Sequence, residues 1–257
     1  MRLAQLLGLL RYEAIMYLRR RGWLVLWLAV PALPLLFALN VARQRLAAGA
    51  AGEVNAEALT RAAVYFTLGP VFVTQMILLP LLAADSLPRD RQLGVRELLD
   101  SLPLSTGVYL GGKLLGLWAS LALGVALALG LTGLAWRLVG PMDFAPYLEL
   151  WVVRLGGLIW INGSLGLLLG AGQPNRPRAV LLGAALVAVM LFTLAPGMLA
   201  APGATARIWN PARAAMLTPW PFEAQSRRDV WQTLAVGAGQ VALLALAMWA
   251  WLRRRRA

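Results

Sequence analysis

The chain has 257 residues, 60% of them hydrophobic and 14% charged, with 24 Lys and Arg against 11 Asp and Glu, and it contains neither His nor Cys. That balance excludes an ordinary soluble domain and matches one embedded in a bilayer. Without imidazole or thiol the chain lacks the usual metal ligands, nucleophile and near-neutral base, which argues against an enzyme and excludes disulfides.

In chain order, Leu3, Leu6, Leu7, Leu10, Ala14 and Tyr17 recur at helical spacing opposite Arg2, Gln5, Glu13 and Arg20. This predicts an amphipathic elbow helix over 1–21, lying in the membrane interface before the chain turns inward. No small-residue cleavage site precedes the first apolar stretch, so the segment does not read as a cleaved signal. Six stretches of about 20 residues or more then lack Asp, Glu, Lys and Arg, the length that crosses a hydrocarbon core about 30 Å thick. Spans are expected at 22–42, 62–84, 114–136, 150–173, 179–201 and 230–252, the fourth carrying Arg154 about one turn inside its outer end. Lipid cannot satisfy exposed backbone groups, and the alternation of a barrel strand is absent, so the expected fold is an all-α membrane protein with six transmembrane helices.

Most basic residues fall on the side that holds both termini if the ends are cytoplasmic, including Arg19 to Arg21, Arg89, Arg91, Arg96, Lys113 and Arg253 to Arg256. The positive-inside bias therefore places both termini in the cytoplasm. The charges are scattered among loops and form no basic face interleaved with stacking aromatics, so no nucleic-acid partner is expected. Arg253 to Arg256 read as a stop-transfer run that meets anionic membrane lipid. On the outer side, Gly140 to Pro146 reads as a tight turn. The loop 202–229 holds Pro202, Pro211, Pro219 and Pro221 with Trp209, Trp220 and Phe222, and reads as ordered, with short helices or interface-anchoring tryptophans.

The densest polar passage is Asp85 to Lys113, DSLPRDRQLGVRELLDSLPLSTGVYLGGK. Pro88 suits a first helical turn, Val95, Leu98, Leu99 and Leu102 fall at i, i+3, i+4 and i+7, and Asp90, Arg91, Arg96, Glu97 and Asp100 cover the remaining face. This predicts an amphipathic helix over 86–103, stopped at Pro103, with an apolar edge to offer to the membrane, to the chain's own spans or to a partner.

The run Asp90 to Leu115 resembles the matching loop of ABC-2-type transporter permeases. There an acidic-basic pair precedes a glycine, a Glu-Leu-Leu follows, then a Pro, then a Gly-Lys that opens the third span. Asp90, Arg91, Gly94, Glu97, Leu98, Leu99, Pro103, Gly112 and Lys113 occupy those positions, with Asp90 where Glu is usual and Val95 where Thr is usual. The resemblance implies that 86–103 is a coupling helix docked on a separate ATPase subunit through Arg89, Asp90, Arg91, Gly94, Val95, Glu97, Leu98, Leu99 and Pro103. It also implies pairing with a second permease copy or a paralogue. ATP and magnesium would then belong to the partner ATPase, and no cofactor or metal to this chain.

Gly107 to Leu114 matches a phosphate-binding loop up to its last position, where Leu114 replaces the magnesium-holding hydroxyl, so nucleotide binding by this chain is not expected. Arg154 is expected to snorkel to the nearer membrane surface. Gln75, Thr132, Asn162, Ser164 and Gln240 lie deep in spans and are candidates to line a path, or to hydrogen-bond neighbouring helices. The pairs Gly112–Gly116 and Gly166–Gly170 predict close helix contacts. The expected function is that of a permease subunit of an ATP-driven transporter, an exporter, in a prokaryotic cytoplasmic membrane. The alternatives are a non-transporting membrane scaffold or regulatory subunit and, third, a secondary carrier, which the lack of a mid-span carboxylate disfavours.

Overall fold

In the computed structural model, residues 2–47, 55–94, 105–199 and 224–254 are described, and among them there is helix and no strand. The elements are α1 (Arg2–Arg19), α2 (Arg21–Ala47), α3 (Ala56–Ala84), α4 (Ser86–Gln92), α5 (Thr106–Val139), α6 (Phe144–Glu149), a π-helical segment (Leu150–Leu155), α7 (Gly156–Ala171), α8 (Arg176–Leu199) and α9 (Ala224–Arg254). Among the described residues, five helical stretches are long and apolar enough to cross a membrane: Arg21–Ala47, Ala56–Gln92, Gly107–Val139, Phe144–Ala171 and Arg227–Arg254. These define a multi-pass, all-helical membrane protein. The remaining expected span, 179–201, falls on α8, and its residues 192–201 lie outside those whose side chains are described.

Helix starts follow local chemistry. Asn55 accepts from the amides of Glu57 and Ala58 at the head of α3, Ser105 accepts from Val108 at the head of α5, and Asp143 accepts from Ala145 at the head of α6. Each side-chain oxygen satisfies amides that the first turn leaves unpaired. The third span therefore begins well before its apolar stretch, at Thr106, because the Ser105 cap sets the start rather than the onset of hydrophobicity.

At the centre of the bundle α3 and α7 run side by side, flanked by α2, α8, the π-helical segment and α9. A Cβ on Gly166 would lie 2.6 Å from the Pro80 carbonyl oxygen, and one on Gly170 would overlap the Ala84 carbonyl. The expected close contact is thus present, with backbone against backbone, as small residues permit where lipid supplies no hydrophobic drive. The pair Gly112–Gly116 on α5 does the same for α1, receiving the side chains of Leu9 and Glu13.

The helix at the N-terminus forms, but its inward face differs from the expected one. Leu9, Glu13 and Tyr17 are buried against α5, with Arg20 just beyond the helix, while Leu7 and Ile15 are exposed. An amphipathic pattern assumes that charge seeks solvent; here Glu13 and Arg20 turn inward because their counter-charges lie inside.

Candidate functional site

The sequence-derived candidate begins at α4, and its first half is built as follows. The predicted helix over 86–103 stops early: α4 ends at Gln92, Leu93 and Gly94 form a turn, and Gly94 adopts φ 67°. Gly accepts that left-handed conformation without penalty, so Gly94 is a helix stop where a continuous helix was expected. Val95, Glu97, Leu98, Leu99 and the expected stop at Pro103 lie outside the described residues, as does most of the outer loop 202–229.

Asp90 does not sit on a solvent face. It is 1% exposed, ion-paired with Lys113 of α5, and 3.7 Å from the Arg20 guanidinium. Lys113 is equally buried and also meets Glu13 of α1 at 2.6 Å. Two carboxylates and two cations thus form one buried group that joins α1, α4 and α5. With all four ionised its charges sum to zero, which is the condition for keeping charge out of water. Tyr17 closes one side, with its hydroxyl 3.1 Å from the Ser86 hydroxyl and the Arg20 guanidinium 5.1 Å from its ring centre. Burial pushes the Glu13 carboxyl above the usual carboxylate range against the pull of Lys113, and raises the Tyr17 phenol.

The next residue points elsewhere. Arg91 donates to the carbonyls of Ala171 at 2.7 Å and Gln173 at 2.6 Å, satisfying acceptors that the end of α7 leaves open. Asp85, one residue before α4, accepts both nitrogens of Arg176 at 2.6 and 3.0 Å, and this pairing raises the Arg176 guanidinium's basicity. Arg89 is half-buried and Leu93 is exposed. A helix of seven residues is therefore fastened to α1, α5, α7 and α8 by side chains at 85, 86, 90 and 91.

Sequence reasoning missed Glu13 and Arg20. The available signal was the Gly112–Gly116 notch beside Lys113, which admits a neighbouring helix closely enough for Glu13 to reach the ammonium. Gly107–Lys113 is α-helical and continuous with the third span, so it does not fold as the loop of a phosphate cradle.

Thr132 and Ser164, two of the five polar span residues, are hydrogen-bonded within the bundle. Thr132 donates to the Ala128 carbonyl and accepts from the Tyr147 hydroxyl, each at 2.6 Å. Ser164 accepts from the Trp118 indole at 2.8 Å and borders an apolar groove of about 670 Å³ between α5, α7 and α9. Gln75 and Asn162 are fully buried, with no hydrogen-bond partner among the described residues, and Gln240 is half-buried on α9. Arg154 lies in the π-helical segment, 2% exposed, and reaches back to Glu149 at 4.0 Å, so it is enclosed by the bundle where it was expected to snorkel.

These features define the class: a multi-pass helical membrane protein with a buried ion cluster beneath one short interhelical segment. No protein-family model matches the chain, and no curated protein matches it.

Proposed function

We propose that this chain is the permease subunit of an ATP-driven transporter of the ABC-2 type, an exporter in a prokaryotic cytoplasmic membrane. In this reading α8 is the fifth of six spans, α1 is the elbow helix, both termini are cytoplasmic, and ATP and magnesium reside on a separate ATPase subunit. A second copy or a paralogue completes the path.

One observation carries the reading. The segment that leads toward Glu97, Leu98 and Leu99 is bonded through consecutive residues in opposite directions, Asp90 to Arg20 and α5, Arg91 to α7. A force applied there from outside the membrane would reach several helices together, which is what coupling to an ATPase requires. The charges of Arg89 and Glu97 would orient the partner, and Leu98 and Leu99 would supply buried contact.

The test is extraction of the tagged full-length chain from native membranes under gentle conditions, with identification of whatever co-purifies in stoichiometric amount. The expected partner is an ATPase whose retention falls when Glu97 and Leu99 are both replaced by Ala. Recovery of the chain alone, or ATP turnover unchanged by those substitutions, would contradict the proposal.

A further inference from the structure

The groove between α5, α7 and α9 combines apolar walls with a basic mouth. Trp231, Leu234, Ala238 and Ala245 line it from α9, facing Trp118 of α5 and Trp160 of α7. At 1.5 Å per residue, the stretch from Trp231 to Ala245 runs about 21 Å, more than one leaflet of about 15 Å. The groove, about 670 Å³ in volume, is thus long enough to hold an acyl chain laid along α9.

Its mouth lies where Trp231 meets the basic end of α9. Arg227 and Arg228 precede Trp231 by four and three positions, so both lie one turn beyond it on the same face. Arg227 is held by Glu149 at 3.0 Å, and the same carboxylate faces Arg154 at 4.0 Å. Arg228 is exposed and makes no ion pair among the described residues. Among the described residues, three arginines thus share the neighbourhood of Glu149 and Asp229, leaving positive charge one turn above the groove.

We propose that the groove holds one acyl chain of an anionic phospholipid, with the phosphate at Arg228. This site is independent of the permease reading. Arg supplies donors suited to a phosphate, and a Trp near a span end, as Trp231 is, favours headgroup depth.

The full-length chain in nanodiscs of equal parts phosphatidylglycerol and phosphatidylcholine, released for native mass spectrometry, tests it. The expected result is one retained phosphatidylglycerol per chain, with R228Q lowering retention about fivefold, equivalent to about 1 kcal/mol. Filling the slot with A238F removes the lipid. Because the chain has no cysteine, a readout that does not depend on that variant's folding is also open. A fluorophore on Ala238→Cys is quenched more by phosphatidylglycerol brominated in its acyl chains than by the phosphatidylcholine equivalent, and R228Q abolishes the preference. A label on Leu181→Cys, at a residue 69% exposed on α8, shows no preference. Retention indifferent to both R228Q and A238F, equal quenching by the two lipids, or a second copy of the chain occupying the groove would each overturn the proposal.

Discussion

The two ends of the bundle handle charge in opposite ways. At the α4 end, Glu13, Arg20, Asp90 and Lys113 balance one another and are shielded from solvent. At the other end, Glu149 serves Arg154 and Arg227 together, while Arg228 remains exposed. The first arrangement is closed, and any force on one member is passed to the rest. The second is open and, among the described residues, is left with excess positive charge. A balanced buried group acts as a fastening, whereas an unbalanced exposed one can meet a ligand such as the proposed lipid.

Unbalancing the closed end should cost the most stability. K113M leaves Asp90 and Glu13 buried without their shared cation, and a loss of about 3–5 kcal/mol is expected. Thermal unfolding of the detergent-purified protein would measure it. The double variant K113M/D90N removes opposite charges together and is expected to recover much of that loss, because the cost lies in the unpaired charge and not in the absence of the pair. A double variant no better than K113M would show that the cluster acts through packing alone.

A smaller effect is expected where backbone contact, not charge, holds the helices. G166L drives a side chain into the Pro80 carbonyl and should cost about 1–3 kcal/mol, read in the same unfolding experiment. Smaller again is R176A. Its partner Asp85 is only partly exposed, but the Arg176 side chain is 46% exposed, so a loss of about 1 kcal/mol is expected, shrinking as salt is raised.

The closed end also has a pH signature. Burial raises the Glu13 carboxyl, so the folded state holds that proton more tightly than the unfolded chain does. Glu13 therefore contributes stability at low pH that is lost as pH rises from the unfolded value of about 4.5 through the raised folded value. E13Q cannot titrate, so wild-type protein should lose stability relative to E13Q across that window and run parallel to it above. Parallel curves throughout would show that Lys113 offsets the burial of Glu13 completely.

Much of this molecule was legible from its sequence because the relevant signals are local. Spacing of charge-free stretches located the long helices, and the pairs Gly112–Gly116 and Gly166–Gly170 marked contacts that the structure places against α1 and α3. The buried cluster was not legible, since Glu13, Asp90 and Lys113 lie far apart in the chain and an amphipathic reading sends every charge to solvent. Asp90 and Arg91 were singled out for a partner, yet both are occupied within the chain. Nor does any local signal announce the π-helical segment that carries Arg154 into the bundle.

The most direct test of the account uses the absence of cysteine. Leu99→Cys, derivatised with a photo-crosslinker and irradiated in native membranes, places a reactive group in the loop that α4 leads into. Covalent capture of a phosphate-loop ATPase at that position is the predicted result. A folded, labelled chain that crosslinks only to lipid or to itself would contradict the assignment of this loop as the ATPase-coupling surface.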